Sequence, residues 1–323
     1  MSDRLADGYD LVIFDLDGVI YLIDKPIPGA VEAVGELRSA GTSVAYATNN
    51  ASRRAADVAA LLSGMGVPAT AAALLAERLP AGAPVLVVGS EALRAEVRDA
   101  GLIPVDTLDD KPAAVVQGFG PDVGWKVLAE AALAVRAGAV WFATNTDRTL
   151  PSARGPLPGN GSLVAVLRTA LGREPDVVVG KPQPALFTTA ASLAHAQRPL
   201  TVGDRLDTDI EGAVGAGMDS LLVLTGVSGP AELLSAPASR RPTFVAADLS
   251  GLLRPQTDAR IPIDATELGG WRITGEGKAV TLAGAGGPVE ALRLLCGPAW
   301  SGDEIHAGDD PARELLTSWG MRT

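Results

Sequence analysis

Leu11-Val12-Ile13-Phe14-Asp15-Leu16-Asp17-Gly18-Val19 sets four apolar residues directly before a pair of carboxylates. A short unbroken apolar run of this kind reads as a strand covered on both faces. In open α/β sheets ligands gather outside the carboxyl ends of the strands. Asp15 and Asp17 are therefore expected at the mouth of a crevice, although Asp-x-Asp by itself also suits a turn or a helix cap.

Working outward, strand and helix patterns alternate: strand at Leu11 to Phe14, helix at Ala30 to Ala40, strand at Ser43 to Ala47, helix at Ser52 to Met65. The alternation resumes with strands at Val177 to Val179, Leu200 to Val202 and Ser220 to Leu224 and helices at Pro184 to Ala196 and Thr208 to Ala216. This is the pattern of a doubly wound parallel sheet, a Rossmann-like α/β core. Between the two stretches, residues 71–176 carry strands of their own at Val85 to Val88, Ala114 to Gln117 and Val140 to Ala143, with helices at Glu91 to Ala100 and Trp125 to Ala137. The expected organisation is a core of residues 1–70 and 177–254, an inserted α/β cap of residues 71–176, and a small α+β extension of residues 255–323. In the extension, a hairpin-like Trp271 to Leu282 precedes two short helices near Val289 to Leu295 and Ala312 to Trp319.

Composition narrows the chemistry. A net charge of −11 speaks against nucleic acid or an anionic membrane as partner, because either needs clustered Lys and Arg. No apolar stretch has the eighteen or so residues needed to span a bilayer, and the acidic start Met1-Ser2-Asp3-Arg4 lacks the order of a secretory signal, so the expected compartment is the cytoplasm. One cysteine and two histidines leave little room for a disulfide, a thiolate phosphatase loop, histidine ligands or a Ser-His-Asp triad. Asp, Lys and a hard metal remain.

Reading the expected strand ends gives Asp15 and Asp17, then Thr48-Asn49-Asn50, then Gly180-Lys181-Pro182, then Gly203-Asp204 with Asp209 one turn on. Acids, amide donors and a cation in this set suit a phosphate monoester and Mg²⁺. A carboxylate facing a phosphate dianion meets about 4 kcal/mol of repulsion per charge pair at 4 Å and an effective dielectric near 20, so something positive must stand beside Asp15. Asp15, Asp204 and a carbonyl in the Asp17 region could hold Mg²⁺, which takes a few carboxylates, waters and phosphate oxygens. Lys181 adds a point charge. Thr48, Asn49 and Asn50, followed by a helix capped at Ser52, offer hydroxyl and amide donors to phosphate oxygens. Thr-Asn-Asn also reads as an ordinary polar turn.

In this set and order, Asp15-Leu16-Asp17-Gly18-Val19, Thr48-Asn49-Asn50, Lys181 and Gly203-Asp204-Arg205-Leu206-Asp207-Thr208-Asp209, the chain resembles the haloacid dehalogenase-like hydrolase superfamily, in its p-nitrophenyl phosphate and phosphoglycolate phosphatase-like branch. The resemblance covers about 250 residues. It implies Asp15 as nucleophile, Asp17 as general acid and base, Mg²⁺ held by Asp15, the Asp17 carbonyl and Asp204, and Asp209 in support. Asp207 is left at the surface or just behind the ligands. The implied activity is hydrolysis of a small phosphorylated metabolite through an aspartyl phosphate. Glycerol 3-phosphate is the first expected substrate; phosphoglycolate, pyridoxal phosphate, sugar phosphates and nucleoside monophosphates stay open.

Thr48 to Lys181 spans 133 positions, against 33 from Asp15 to Thr48 and 23 from Lys181 to Asp204, which leaves room for the cap. Asn145, Asp147 and Arg154, after the strand Val140 to Ala143, are the candidates for substrate contact there, since the family's cap carries a similar Ala-Thr-Asn-x-Asp; a turn or capping role suits them equally. The stretch from Ala69 to Arg78 leading into the cap is shorter than relatives usually carry. Two readings from other classes stand beside the enzyme: a phospho-accepting receiver and a regulatory binding protein, both at odds with the insert or the full set of acids. The extension faintly resembles part of an N-acetyltransferase-like domain. Its expected role is as a packing or dimer-forming appendage, and a homodimer stays open; Leu315, Leu316 and Trp319 fit one apolar helical face, a pattern more often core than interface.

Overall fold

The computed structural model describes residues 4–22, 25–49, 65–66, 75–76, 78–150, 152, 154–276 and 278–321. Asn50, Ser52 and the expected helix up to residue 64 lie outside the described residues, as do Gly277 and most of the stretch leading into the cap. The chain divides into two compact units, one of residues 1–44 with 191–323 and one of residues 45–190.

The first unit opens with β1 (Leu11–Phe14), all four residues of which are buried. The hairpin of β2 (Tyr21–Leu22) and β3 (Lys25–Pro26) follows, then α1 (Ala30–Ser39) and the beginning of β4 (Ser43–Tyr46). Helix α1 buries Ala30, Ala33, Val34 and Leu37, the i, i+3, i+4, i+7 stripe of a helix lying on a core. The Ser43 N–H donates to the Asp10 carbonyl at 3.1 Å and so starts β4 alongside the run into β1.

In the second unit β4 pairs in parallel with β5 (Met65–Gly66). Met65, expected as the last residue of a helix, is therefore the first of a strand. Next come β6 (Pro84–Val88), α2 (Glu91–Asp99), β7 (Ile103–Val105), β8 (Ala114–Gln117), α3 (Trp125–Arg136) and β9 (Val140–Ala143). The hairpin β10 (Thr149–Leu150) and β11 (Leu157–Pro158), α4 (Asn160–Leu171) and β12 (Val177–Val178) complete the sequence. The parallel sheet runs β12-β9-β8-β6-β7. Val85 and Val87 join one buried cluster and Leu86 and Val88 another. Neighbouring residues that are apolar on both faces are what a sheet covered by helices on each side requires.

One expectation fails here. The strand at Val177 was expected among the strands of the core sheet, but β12 pairs with β9, Val177 opposite Phe142 and Val178 opposite Ala143. A two-residue strand carries too little pattern to name its neighbour. The pairing is settled by Val179, whose N–H bonds the Ala143 carbonyl at 2.9 Å while its side chain joins the cluster around Phe142.

After α5 (Ala185–Leu193) the first unit resumes with β13 (Pro199–Gly203), a π turn over Leu206–Ile210, α6 (Glu211–Gly215), β14 (Asp219–Val223), α7 (Pro230–Leu234) and β15 (Phe244–Ala246). Its strands lie parallel in the order β15-β14-β13-β1. The helix expected from Thr208 to Ala216 is thus a π turn followed by a short α-helix. The wide turn closes where the Ile210 N–H reaches the Arg205 carbonyl, five residues back, at 3.2 Å. Turns of this kind concentrate at functional sites.

The extension forms β16 (Glu267–Leu268), β17 (Trp271–Glu276), β18 (Ala279–Gly284), α8 (Pro288–Ser301), β19 (Glu304–Ala307) and α9 (Asp310–Ser318), with sheet order β16-β17-β18-β19. Strands β17 and β18 make the expected hairpin, while β19 adds in parallel to β18. Helix α8, expected to be short, is 14 residues long and runs through Pro298. The proline removes one backbone donor, but the helix continues because its side chains are held in a core: Leu292, Leu294, Leu295 and Cys296 share one buried cluster with Leu206, Leu222, Leu233 and Val245. Leu316 is in the same cluster, with Leu315 and Trp319 packed on it, so that face of α9 is core. Buried Arg293 donates to the carbonyls of Asp258 at 2.7 Å and Arg260 at 3.0 Å, tying α8 to the segment that joins it to β15.

Burial pushes the Cys296 thiol up to about 12, the charges of Arg293 and Arg241 offsetting only part of it. The native protein is therefore expected to resist maleimide at pH 8. Labelling should appear in urea together with the loss of unit one's structure by circular dichroism; fast labelling in buffer would contradict the shared core.

Candidate active site

β1 and β13 lie side by side, Phe14 opposite Val202, and their carboxyl ends deliver the acids. The Asp15 N–H bonds the Val202 carbonyl at 2.9 Å, carrying the ladder one residue past the strand and fixing Asp15 next to the start of the Gly203-Asp204 turn. Asp209 returns to the same place on the π turn, where its Oδ2 accepts from the Arg205 N–H at 3.1 Å. One carboxylate oxygen from each of Asp15, Asp204 and Asp209 lies within 4.8 Å of the others, and all three residues are buried. Asp17 is half-buried and sits in the turn closed by the Gly18 N–H on the Tyr21 carbonyl at 2.8 Å.

Three carboxylates this close repel each other by about 3.5 kcal/mol per charged pair at an effective dielectric near 20. Hard oxygen donors in such a cluster fit a hard divalent cation such as Mg²⁺. Asp209, expected in support, stands with Asp15 and Asp204 in the same cluster.

Backbone closes tightly around Asp204. Gly18 has φ +91°, and a Cβ there would lie 2.6 Å from Asp204 Oδ2. A Cβ on Gly226 would overlap the same carboxylate. The loop after β14 does the rest: the Val227 N–H donates to Asp204 Oδ2 at 2.7 Å, the Ser228 N–H to the Asp204 carbonyl at 2.9 Å, and the Thr225 hydroxyl to the Gly18 carbonyl at 2.6 Å. The sequence reading missed this loop. Its signal was present, since Leu224 ends a strand that had been recognised and Thr225-Gly226 follows at its carboxyl end.

Asp207, left open by the sequence, holds the Arg205 guanidinium through two bonds of 3.0 Å. Burial alone would raise its pKa, but the bonds to Arg205 and the charges of Arg205 and Arg240 outweigh it and keep the carboxyl below the usual range.

Within the second unit, Asn49, Asn145, Asp147 and Lys181 form one network. The Asn49 amide donates to both Asp147 oxygens at 3.0 and 3.2 Å and to the Lys181 carbonyl at 3.1 Å, while its Oδ1 accepts from the Lys181 N–H at 2.8 Å. Asn145 donates to the Asn49 carbonyl at 2.7 Å, and buried Asn160 donates to the Asn145 carbonyl at 2.8 Å. Lys181 is buried and Thr48 half-buried. Arg154 is exposed, its N–H on Ser152 Oγ at 3.1 Å, and among the described residues no bond joins it to this network.

Known proteins resemble the chain in both sequence and fold. A family model described as haloacid dehalogenase-like hydrolase matches residues 12–103 and a second, HAD-hydrolase-like model matches 178–252. The D-glycerol 3-phosphate phosphatase of Mycobacterium tuberculosis is 44% identical, with 98% of this chain and 96% of that protein covered. The chain belongs to the haloacid dehalogenase-like hydrolases. A crystal structure of the glycerol phosphate phosphatase from Mycobacterium tuberculosis in complex with magnesium superposes with a TM-score of 0.88 at 43% identity, covering all of both chains. The 4-nitrophenylphosphatase of Thermotoga maritima superposes with a TM-score of 0.69 at 31% identity, but covers 77% of this chain and 98% of its own. A model described as GCN5-related N-acetyltransferase like domain matches residues 268–321, the stretch whose faint likeness the sequence had shown.

Two outcomes follow. Gly226→Ala should displace the Asp204 carboxylate and weaken Mg²⁺ binding at least tenfold by calorimetry, and wild-type affinity would contradict the close approach. The Asp207 carboxylate is stabilised when folded, so its contribution is complete above the unfolded pKa of about 3.9 and lost as pH falls through the lower folded value. Asp207→Asn should lower the urea midpoint at pH 7, and the gap to wild type should close below about pH 4.

Proposed function

We propose that this chain is a Mg²⁺-dependent phosphatase of small phosphomonoesters, with glycerol 3-phosphate as substrate. The buried cluster of Asp15, Asp204 and Asp209 supports the chemistry. The single observation that carries the substrate is the likeness to a D-glycerol 3-phosphate phosphatase along 98% of the chain, extension included. The receiver and regulatory-binding readings have no comparable support.

Asp15, Asp204 and Asp209 would hold the metal, with the Asp17 carbonyl as a further donor, and Mg²⁺ when bound supplies charge neutralisation for the phosphoryl group. A carboxylate oxygen of Asp15 attacks phosphorus in line, forming an aspartyl phosphate, while Asp17 gives its proton to the departing glycerol oxygen. Asp17 then takes a proton from water as that water attacks the phosphorus, releasing inorganic phosphate and restoring Asp15. Proton transfer by such a group is typically worth about 10²- to 10⁴-fold. Phosphate binding is assigned to Thr48, Asn49, Asn50 and Lys181, and reading of the leaving group to Asn145, Asp147 and Arg154, on the order of the motifs along the chain. Core (residues 1–70 and 177–254), cap (71–176) and extension (255–323) are the corresponding functional parts as the sequence divides them, with β12 (Val177–Val178) paired into the sheet of the cap.

Among the described residues no helix is long and apolar enough to cross a membrane. A cytoplasmic enzyme of a soluble metabolite, acting without nucleic acid or membrane and open to homodimer formation, is consistent with that and with the net charge of −11.

Phosphate release should be fastest from glycerol 3-phosphate in a panel with phosphoglycolate, pyridoxal phosphate, sugar phosphates and nucleoside monophosphates. Asp15→Asn and excess chelator should each abolish it, and Asp17→Asn should lower it by about 10²-fold or more. Turnover surviving Asp15→Asn would refute the mechanism; preference for another ester would refute the substrate alone.

A further inference from the structure

The extension lies outside the catalytic motifs, yet its core is continuous with that of the loop holding Asp204. Leu206 and Ile210, on the π turn between Asp204 and α6, belong to the same buried cluster as Leu292, Leu294 and Leu295 of α8. Helix α8 also packs directly on α7. There the Trp300 indole N–H donates to the Leu233 carbonyl at 2.9 Å. The Arg241 guanidinium stands 5.1 Å over the Trp300 ring and donates to the Trp300 carbonyl at 3.0 Å.

Helix α7 begins two residues after Ser228. Ser228 is 3% exposed, its Oγ accepts the Leu206 N–H at 3.0 Å, and its own N–H bonds the Asp204 carbonyl. One serine thus staples the backbone on both sides of the acid loop, at Asp204 and at Leu206, to the root of α7. On the reading of the site as a metal centre, we infer that Ser228 is a positioning residue for Asp204, and that the extension, through α8 and Trp300, braces α7 and thereby sets the metal affinity of the acid cluster.

The extension's own glycine-rich turn offers no rival role. Its Gly287 carbonyl accepts the Trp271 indole N–H at 2.9 Å, and a Cβ on Gly286 would lie 2.9 Å from that same indole nitrogen. The turn is filled by protein where an anionic ligand would need space. Groups that orient metal ligands from behind commonly change affinity by about 10- to 100-fold when removed.

The test is calorimetric titration of the full chain with Mg²⁺, together with the Mg²⁺ dependence of turnover, in wild type, Ser228→Ala, Ser228→Thr and Trp300→Phe. Ser228→Ala should raise the Mg²⁺ Kd about tenfold. The Mg²⁺ concentration for half-maximal rate should rise in step while kcat at saturating Mg²⁺ holds. Ser228→Thr, which keeps the hydroxyl, should restore wild-type binding. Trp300→Phe, remote from the loop and keeping an aromatic ring under Arg241, should shift Kd in the same direction by a smaller factor, and it decides the question if Ser228→Ala does not fold. Variants that melt earlier but bind Mg²⁺ as wild type does would overturn the inference and leave the proposed function standing. A wild type that binds no Mg²⁺ would overturn both.

Discussion

Mutual repulsion among three buried carboxylates is the constraint around which the first unit is arranged. Asp15, Asp204 and Asp209 stay charged this close only against about 3.5 kcal/mol of repulsion per pair at an effective dielectric near 20, which a bound cation would offset, and backbone N–H donors to Asp204 and Asp209 help to hold them there. The parallel pairing of β1 with β13 sets two of the acids at adjacent strand ends. The π turn brings the third back within a few residues. Glycines at 18 and 226 let backbone approach a carboxylate that a side chain would displace. Such preorganisation is costly without an ion, and all three residues are buried.

In the second unit the organising groups are side-chain amides. Asn49 engages the Lys181 peptide through both ends of its amide and binds the Asp147 carboxylate as well. Asn145 and Asn160 extend the network to the ends of β8 and β9. Four residues singled out separately in the sequence are therefore one hydrogen-bonded assembly. Substituting one member disturbs the positions of the others, so single-residue effects in this group will not be additive.

Much of this was legible beforehand, for physical reasons. Leu11 to Phe14 reads as a covered strand because it is a short unbroken apolar run, and acids at its end and after Leu200 to Val202 had to meet if those strands paired. The strands Ala114 to Gln117 and Val140 to Ala143 were readable because each is a short, mostly apolar run stopped by Gly118 or Thr144. What was not legible depends on contacts distant in the chain. Val177-Val178 joins β9 because Val179 finds the cluster around Phe142, which no local pattern reveals. Strand β19 has a half-exposed, mixed sequence, Glu304-Ile305-His306-Ala307, and is a strand because β18 offers an edge. Helix α8 outlasts Pro298 because its buried face is held by the phosphatase core. The Thr225 to Ser228 loop went unread although the strand before it had been recognised; its importance lies in where its N–H groups point.

On the proposed reading, Asp15, Asp204 and Asp209 together hold one divalent cation. Crystals soaked in Mn²⁺, which takes the same oxygen donors, test it most directly through anomalous scattering. A single strong peak is expected among these three carboxylates, absent from an Asp204→Asn crystal treated alike. No peak there, or one at other acids while the protein turns over with Mn²⁺, would contradict it.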